Sequence, residues 1–240
     1  MKALVVSATP EPQSFIASMA DLSVRVLEEQ GYQVAHSNLY EMGWNPVASA
    51  NDFGDRKDPD YLTYALEQRH GVEGGTIAPD ISAELQKLMD ADLLVLNFPI
   101  YWFSVPAILK GWLDRVIVSG LCYGGRRFYD QGGLSGKRAL VAATLGGRPH
   151  MFGPESIHGP IETMLRPLLQ GTLAYTGMNV IEPFFGWHVP YIQPEERAQI
   201  LDDYAVCLKS LDERQLLEFP SMADFSRDLH PLKPNLTETA

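Results

Sequence analysis

The chain has only 2 cysteines in 240 residues, Cys122 and Cys207, far apart and without a CxxC or Cys/His ligand spacing. Neither a disulfide framework nor a zinc site is indicated. Long hydrophobic runs are missing too: no stretch approaches the roughly 18 apolar residues of a membrane span. The apolar run in "MKALVVSATP" is too short for a signal segment and has no small-residue cleavage site. The cytoplasm is the expected compartment. Basic residues are the minority, 19 Lys and Arg against 30 Asp and Glu for a net charge of -11, which argues against a sequence-independent grip on nucleic acid. Also absent is a Gly-rich GxGxxG turn after the first apolar run, so a Rossmann-type nicotinamide site is not supported. Internal repeats and low-complexity runs are lacking.

What is present is alternation. With 45% hydrophobic residues the chain can bury a full core. Strands are expected at 2–8, 32–39, 93–100, 137–147 and 178–189, and helices at 14–31, 80–92, 105–120, 159–177 and 194–219. The first helix should carry Phe15, Met19, Leu22 and Val26 on one face, with Ser14 as its N-cap and Gly31 just past its end. A stretch from about 43 to 80, rich in Gly and Pro, reads as an inserted loop that could hold one helix, and from Pro220 the tail loses periodicity. Near-continuous apolar strands separated by helices imply a doubly wound, five-stranded parallel α/β sheet with helices on both faces, in one domain over 1–240. Ligands of such folds sit beyond the carboxyl ends of the strands.

Three loops lie there. After the first strand, Thr9 and Ser14 place hydroxyls beside the free N–H groups of a helix start, a site that can hold phosphate without lysine; Ser14 also reads simply as a cap. After the third, "FPIYWFSVPAILKGWLDRV" (98–116) sets Tyr101, Trp102 and Phe103 between Pro99 and Pro106, which suits either a flat ligand's wall or a corner packed under the 43–80 loop. After the fourth, Gly146 and Gly147 can bring bare backbone to a ligand edge, with His150, Phe152 and His158 following.

These segments resemble the NAD(P)H:quinone oxidoreductases of the DT-diaphorase type, which have a flavodoxin-like fold. The resemblance is most specific in residues 98–116, next in "TLGGRPHMFGPESIHG" (144–159), and continues through "SNLYEMGWNP" (37–46), "APDI" (78–81) and "RAQIL" (197–201), covering roughly residues 3 to 201. It implies FAD rather than FMN, NAD(P)H as co-substrate, a quinone-like acceptor, and a homodimer with its active site at the interface. It also implies flavin phosphate contacts at Ser14 and Phe15, a ring wall at Pro99, Ile100, Tyr101, Trp102 and Phe103, and a polar ring edge at Thr144, Leu145, Gly146 and Gly147. Asp114 and Arg197 match further cofactor positions, and Trp102 and Phe103 flank the quinone and nicotinamide site.

Departures accompany it. The family's first-loop histidine is Thr9 here, the asparagine after its phenylalanine is Ile16, and its catalytic tyrosine and histidine align with Phe152 and His158. His158 is therefore the expected catalytic group and Phe152 a wall residue of the substrate site. Two other classes stay open: an ancillary flavoprotein that regulates a membrane transporter, and a flavodoxin-like electron carrier, although the latter would be shorter.

Overall fold

Five short aliphatic runs form strands β1 (Lys2–Ser7), β2 (Gln33–Asn38), β3 (Leu93–Pro99), β4 (Arg138–Thr144) and β5 (Asn179–Gly186) in the computed structural model, which describes residues 1–232. All pair in parallel, in the order β2-β1-β3-β4-β5. Because successive side chains of a strand point to opposite faces, strands covered on both must be apolar throughout. Leu4, Val6, Leu94, Leu96 and Val141 enter one core, and Ala3, Val5, Leu93, Val95 and Leu140 the other.

The helices are α1 (Phe15–Glu29), α2 (Tyr64–Gly74), α3 (Pro79–Asp90), α4 (Ala107–Val116) and α5 (Pro194–Lys209). Helices α1 and α5 cover one face of the sheet, and α3, α4 and the segment 161–174 the other. Ser14 caps α1, its Oγ accepting from the Ala17 N–H at 3.2 Å, and Gly31 takes the left-handed backbone (φ 84°) that ends it. The buried stripe of α1 runs through Ile16, Met19, Leu22 and Val26; Phe15 is only half-buried, turned toward the carboxyl edge of the sheet. Across this core a buried polar triangle joins three elements: Ser23 and Tyr204 lie 2.7 Å apart, and Asn97 donates to the Tyr204 hydroxyl at 3.1 Å.

Three expected helices are shorter or broken, and the first, expected at 105–120, is α4 over Ala107–Val116 only. The stretch expected at 159–177 divides into Ile161–Met164, Arg166–Leu168 and a wider turn at Leu169–Ala174, because Pro167 has no N–H to continue the ladder. Helix α5 stops at Lys209 instead of 219. The chain beyond it turns back along the outer edge of β5, with Glu182 donating to Gln215 O at 2.8 Å and Leu217 to Val180 O at 2.8 Å. That covers a sheet edge otherwise left with unpaired backbone. The tail is held as far as the described residues reach: Asp130 accepts from Ser221 Oγ at 2.9 Å and from Met222 N–H at 2.8 Å. The rest of the expected irregular tail, 233–240, lies outside the described residues.

The 43–80 segment does hold one helix, α2, and a buried charge fastens it to α4. The Arg115 guanidinium donates to both Asp52 oxygens at 2.9 and 3.2 Å, to the Asn45 carbonyl at 2.9 Å and to Asp80 at 2.9 Å. It also lies over the Trp44 ring, 4.6 Å from the centroid. Tyr64 closes the cluster by donating to Asp52 at 2.5 Å. Burial alone would raise the Asp52 pKa, but hydrogen bonds from Arg115 and Tyr64 outweigh it and hold the carboxyl below its usual range. One turn before Arg115, Gly111 lets the segment cross the helix at contact distance: a Cβ there would sit 2.1 Å from the Pro46 carbonyl oxygen.

Gly111→Ala is expected to destabilise the protein by about 1–3 kcal/mol, as overpacking does, read as a lowered thermal midpoint. Arg115→Met leaves a buried carboxylate unpaired and should destabilise by about 3–5 kcal/mol near neutral pH. Since the folded Asp52 pKa lies below its unfolded value, the wild-type contribution is complete above the ordinary carboxylate pKa and is lost as pH falls through the folded one. The gap between wild type and Arg115→Met in denaturant melts should therefore narrow below about pH 4; a gap that stays constant down to full protonation would contradict this account.

Candidate active site

The carboxyl ends of β1, β3, β4 and β5 open on one edge of the sheet, and each delivers a different kind of group. After β1, Thr9 Oγ1 and Ser14 Oγ lie 3.0 Å apart. The N–H groups of Phe15 and Ile16, first in α1, have no intrahelical acceptor by construction, so this corner offers two hydroxyls and two free amides. The hydroxyl pair and helix start that the sequence placed together are together here.

After β3, the Ile100 N–H donates to the Thr144 carbonyl at 2.8 Å, extending the ladder by one bond. Tyr101 and Ser104 then exchange two backbone hydrogen bonds of 3.0 Å, closing a tight turn with Trp102 (φ 50°) and Phe103 (φ 58°) at its centre. Left-handed backbone at both central positions is the geometry for which Asn-Gly is preferred. Two bulky aromatics there store strain, of about 1–3 kcal/mol per residue, and strain of this kind gathers at ligand clamps. Trp102 is 96% exposed, so packing within the chain does not hold it. The aromatic triplet is therefore an open wall and not a corner buried under the 43–80 segment.

After β4, bare backbone serves two purposes. A Cβ on Gly147 would meet Phe152 Cε2 at 2.6 Å, so the glycine lets that ring approach the main chain closely. His158 stands between two aromatic rings, with centroids 5.3 Å from Phe103 and 5.0 Å from Phe152, while Phe152 also packs on Trp187 at 5.3 Å. His150 does not line the cavity described below.

The loop after β5 adds a residue the sequence reading missed. His188 adopts left-handed backbone (φ 56°), its N–H donates to Gly147 O at 2.9 Å, and its Nδ1 lies 2.7 Å from Gly146 O. A carbonyl oxygen only accepts, so Nδ1 carries the proton. Both glycine carbonyls are thereby drawn toward β5, and among the described residues the N–H groups of Gly146 and Gly147 have no protein acceptor. The signal available was positional: "GWHVP" ends a strand of the same parallel sheet, at the same edge as the three loops considered.

These groups surround two adjacent cavities that share Ile100, Leu145 and Gly146. The larger, about 540 Å³, is walled by Trp102, Phe103, Phe152 and His158, with Met151, Ile161, Met164 and Leu165 behind. The smaller, about 340 Å³, contains Thr9, Ser14, Phe15, Pro99, Tyr101 and Thr144. Arg197 reaches its margin, donating to Val189 O at 3.2 Å. Asp114 is not brought to either: it pairs with Lys110 Nζ at 2.6 and 2.8 Å on the exposed side of α4, beside a separate cavity of about 310 Å³.

A parallel sheet of order 2-1-3-4-5 with a ligand groove at its carboxyl edge defines the flavodoxin-like class of α/β proteins. Residues 1–208 match the model of the flavodoxin-like fold family Flavodoxin_2. NAD(P)H dehydrogenase [quinone] 1 of Rattus norvegicus is 37% identical over 219 residues, spanning 91% of this chain and 80% of that protein. Ribosyldihydronicotinamide dehydrogenase [quinone] of Mus musculus is 39% identical over 211 residues, spanning 88% and 91%. A structure from Klebsiella pneumoniae assigned as a quinone reductase superposes with a TM-score of 0.91 at 31% identity, covering 97% of this chain and 94% of that one. The chain belongs to the NAD(P)H dehydrogenase (quinone) family of flavodoxin-like proteins.

Trp102→Asn should raise the thermal midpoint by the strain it releases, about 1 kcal/mol, because asparagine tolerates left-handed backbone and the exposed indole loses no packing. A midpoint that falls would show that the turn is not strained.

Proposed function

We propose that this chain is an NAD(P)H:quinone oxidoreductase that binds FAD and works by alternate binding of nucleotide and quinone at one face of the flavin. The observation that carries this reading is the pair of adjacent cavities that share Ile100, Leu145 and Gly146. One end holds hydroxyls and free helix amides suited to a phosphate, the other an aromatic slot with a histidine, and Gly146 stands at the junction. The residues fit a flavin on the structure's own terms. The free N–H groups of Gly146 and Gly147 match the carbonyl-bearing rim of such a ring, and Phe15 and Ile16 leave two amides for its phosphate.

A bound flavin supplies two-electron chemistry between a nicotinamide and a quinone, which protein side chains cannot perform. The chain's own part is placement, exclusion of water and proton handling. Thr9 and Ser14 anchor the phosphate with the α1 amides, while Pro99, Ile100 and Tyr101 back the ring. Trp102, Phe103 and Phe152 form the slot in which nicotinamide and quinone take turns, and His158 stabilises negative charge or gives a proton to the acceptor oxygen. Phe152 has no hydroxyl, so His158 carries this duty without the tyrosine that the family resemblance pairs with it.

Trp102, Ile157 and Tyr191, exposed by 96%, 82% and 70%, leave apolar surface open beside the slot, which supports a homodimer closing over it. Two buried free thiols support a reducing, cytoplasmic setting, and among the described residues no helix is long and apolar enough to cross a membrane.

The test is an anaerobic stopped-flow experiment: protein loaded with FAD is mixed with NADPH or NADH, flavin bleaching is followed, and a quinone is then added. Rapid bleaching and rapid recovery are expected, with His158→Ala slowing turnover about 100-fold and Phe152→Tyr not slowing it. If FAD binds and neither nucleotide bleaches it, the reductase reading fails. Sedimentation of the loaded protein checks the dimer.

A further inference from the structure

The charge around the larger cavity runs against the charge of the molecule. The chain carries a net charge of -11, yet among the described residues the ionisable side chains lining this cavity are Arg148, His158 and His188, and no carboxylate lines it. Arg148 is held at the mouth by its own backbone: Pro149 keeps it extended (φ -100°, ψ 153°), and its N–H donates to Met151 Sδ at 3.4 Å. Among the described residues its guanidinium forms no hydrogen bond and no ion pair, whereas Arg115, Arg138 and Arg214 are each engaged with an acid. An unpaired planar cation at the lip of a slot walled mainly by apolar side chains is suited to bidentate contact with a carboxylate or sulfonate.

We infer that the acceptor reduced here is a flat aromatic carrying an anionic substituent, its ring in the Trp102, Phe103 and Phe152 slot and its carboxylate or sulfonate on Arg148. This rests on the reductase reading for turnover but not for binding. An apolar wall alone separates aromatic acceptors weakly, by area, so a fixed charge at the rim is what distinguishes a charged acceptor from a neutral one of the same shape. His188 strengthens the effect, since with Nδ1–H committed to Gly146 O its ring stays at the cavity wall and brings no negative charge.

Binding is tested first, without turnover. Fluorescence titrations of the protein, with and without FAD, use anilinonaphthalene sulfonate and its uncharged analogue N-phenylnaphthylamine, on wild type and Arg148→Gln. The ratio of sulfonate to neutral affinity should fall about tenfold in the variant, equivalent to about 1.4 kcal/mol, and should fall in the wild type as salt is raised. Turnover is tested next, with naphthoquinone-2-sulfonate against 2-methylnaphthoquinone at fixed nucleotide: the kcat/KM ratio should drop by a similar factor, and Arg148→Lys should restore part of it. Equal ratios in wild type and Arg148→Gln overturn the inference, as does a variant whose defect is confined to bleaching by NADPH, which would assign Arg148 to the nucleotide. A wild type that binds the sulfonate selectively but reduces neither quinone would sink the reductase reading and leave the anion site standing.

Discussion

Pairing of β3 with β4 in the register that sets Pro99 opposite Thr144 is the interaction on which the candidate site depends, because both of its walls are the continuation of that ladder. The Ile100 N–H to Thr144 carbonyl bond is its last rung, and from there one chain turns outward as Tyr101-Trp102-Phe103 and the other as Leu145-Gly146-Gly147. A slip of one residue would exchange the faces of every side chain on the strand. That would carry buried Asn97 away from the Tyr204 hydroxyl, on the face of Leu93 and Val95, into the apolar core of Leu94 and Leu96 with no partner. Hydrophobic burial in the middle of the sheet thus sets the position of groups at its end, and the site inherits its accuracy from a core that does no chemistry.

Helix α4 has to be held as firmly, since it begins just after the aromatic turn. Here burial of a charge is used instead of burial of apolar surface. Arg115 leaves water entirely, and its desolvation is offset only because Asp52, Asp80 and the Asn45 carbonyl surround it while Trp44 covers its face. An irregular segment with few apolar residues gains a defined path in this way. Gly111 is the steric counterpart: the segment can lie on the helix only because that position has no side chain.

Strain and electrostatics meet at the rim. The backbone of Trp102 and Phe103 is more favourable for residues that would form no wall, and the unpaired Arg148 sits in a strongly acidic molecule. The turn works against stability, and both features present groups to the same cavity, the pattern expected where a ligand completes the structure. His188 has the opposite character, since it spends its hydrogen bonds on fixing Gly146 and Gly147 and so keeps two amides free.

The strand and helix alternation, the parallel sheet, the Ser14 cap, and the loops bearing Thr9, Tyr101 to Phe103, Gly146 and His158 were legible in the sequence, because hydrophobic period and turn chemistry are local properties. The ends of α5 and of the broken 161–174 segment were not, since pairing along β5 and the loss of a hydrogen bond at Pro167 compete with helical period at long range. Nor could the sequence show that Trp102 stands in water, that Gly147 lies beneath Phe152, or that His188 closes on Gly146 from 42 residues away. Asp114, which the resemblance set beside the cofactor, lies on another face of the same chain. What the sequence by itself determined is which segments are strands, helices and loops at the carboxyl edge; which loops meet, and at what distance, was decided only when β1, β3, β4 and β5 ended at a common edge, because contact between residues remote in sequence is a property of the packed sheet.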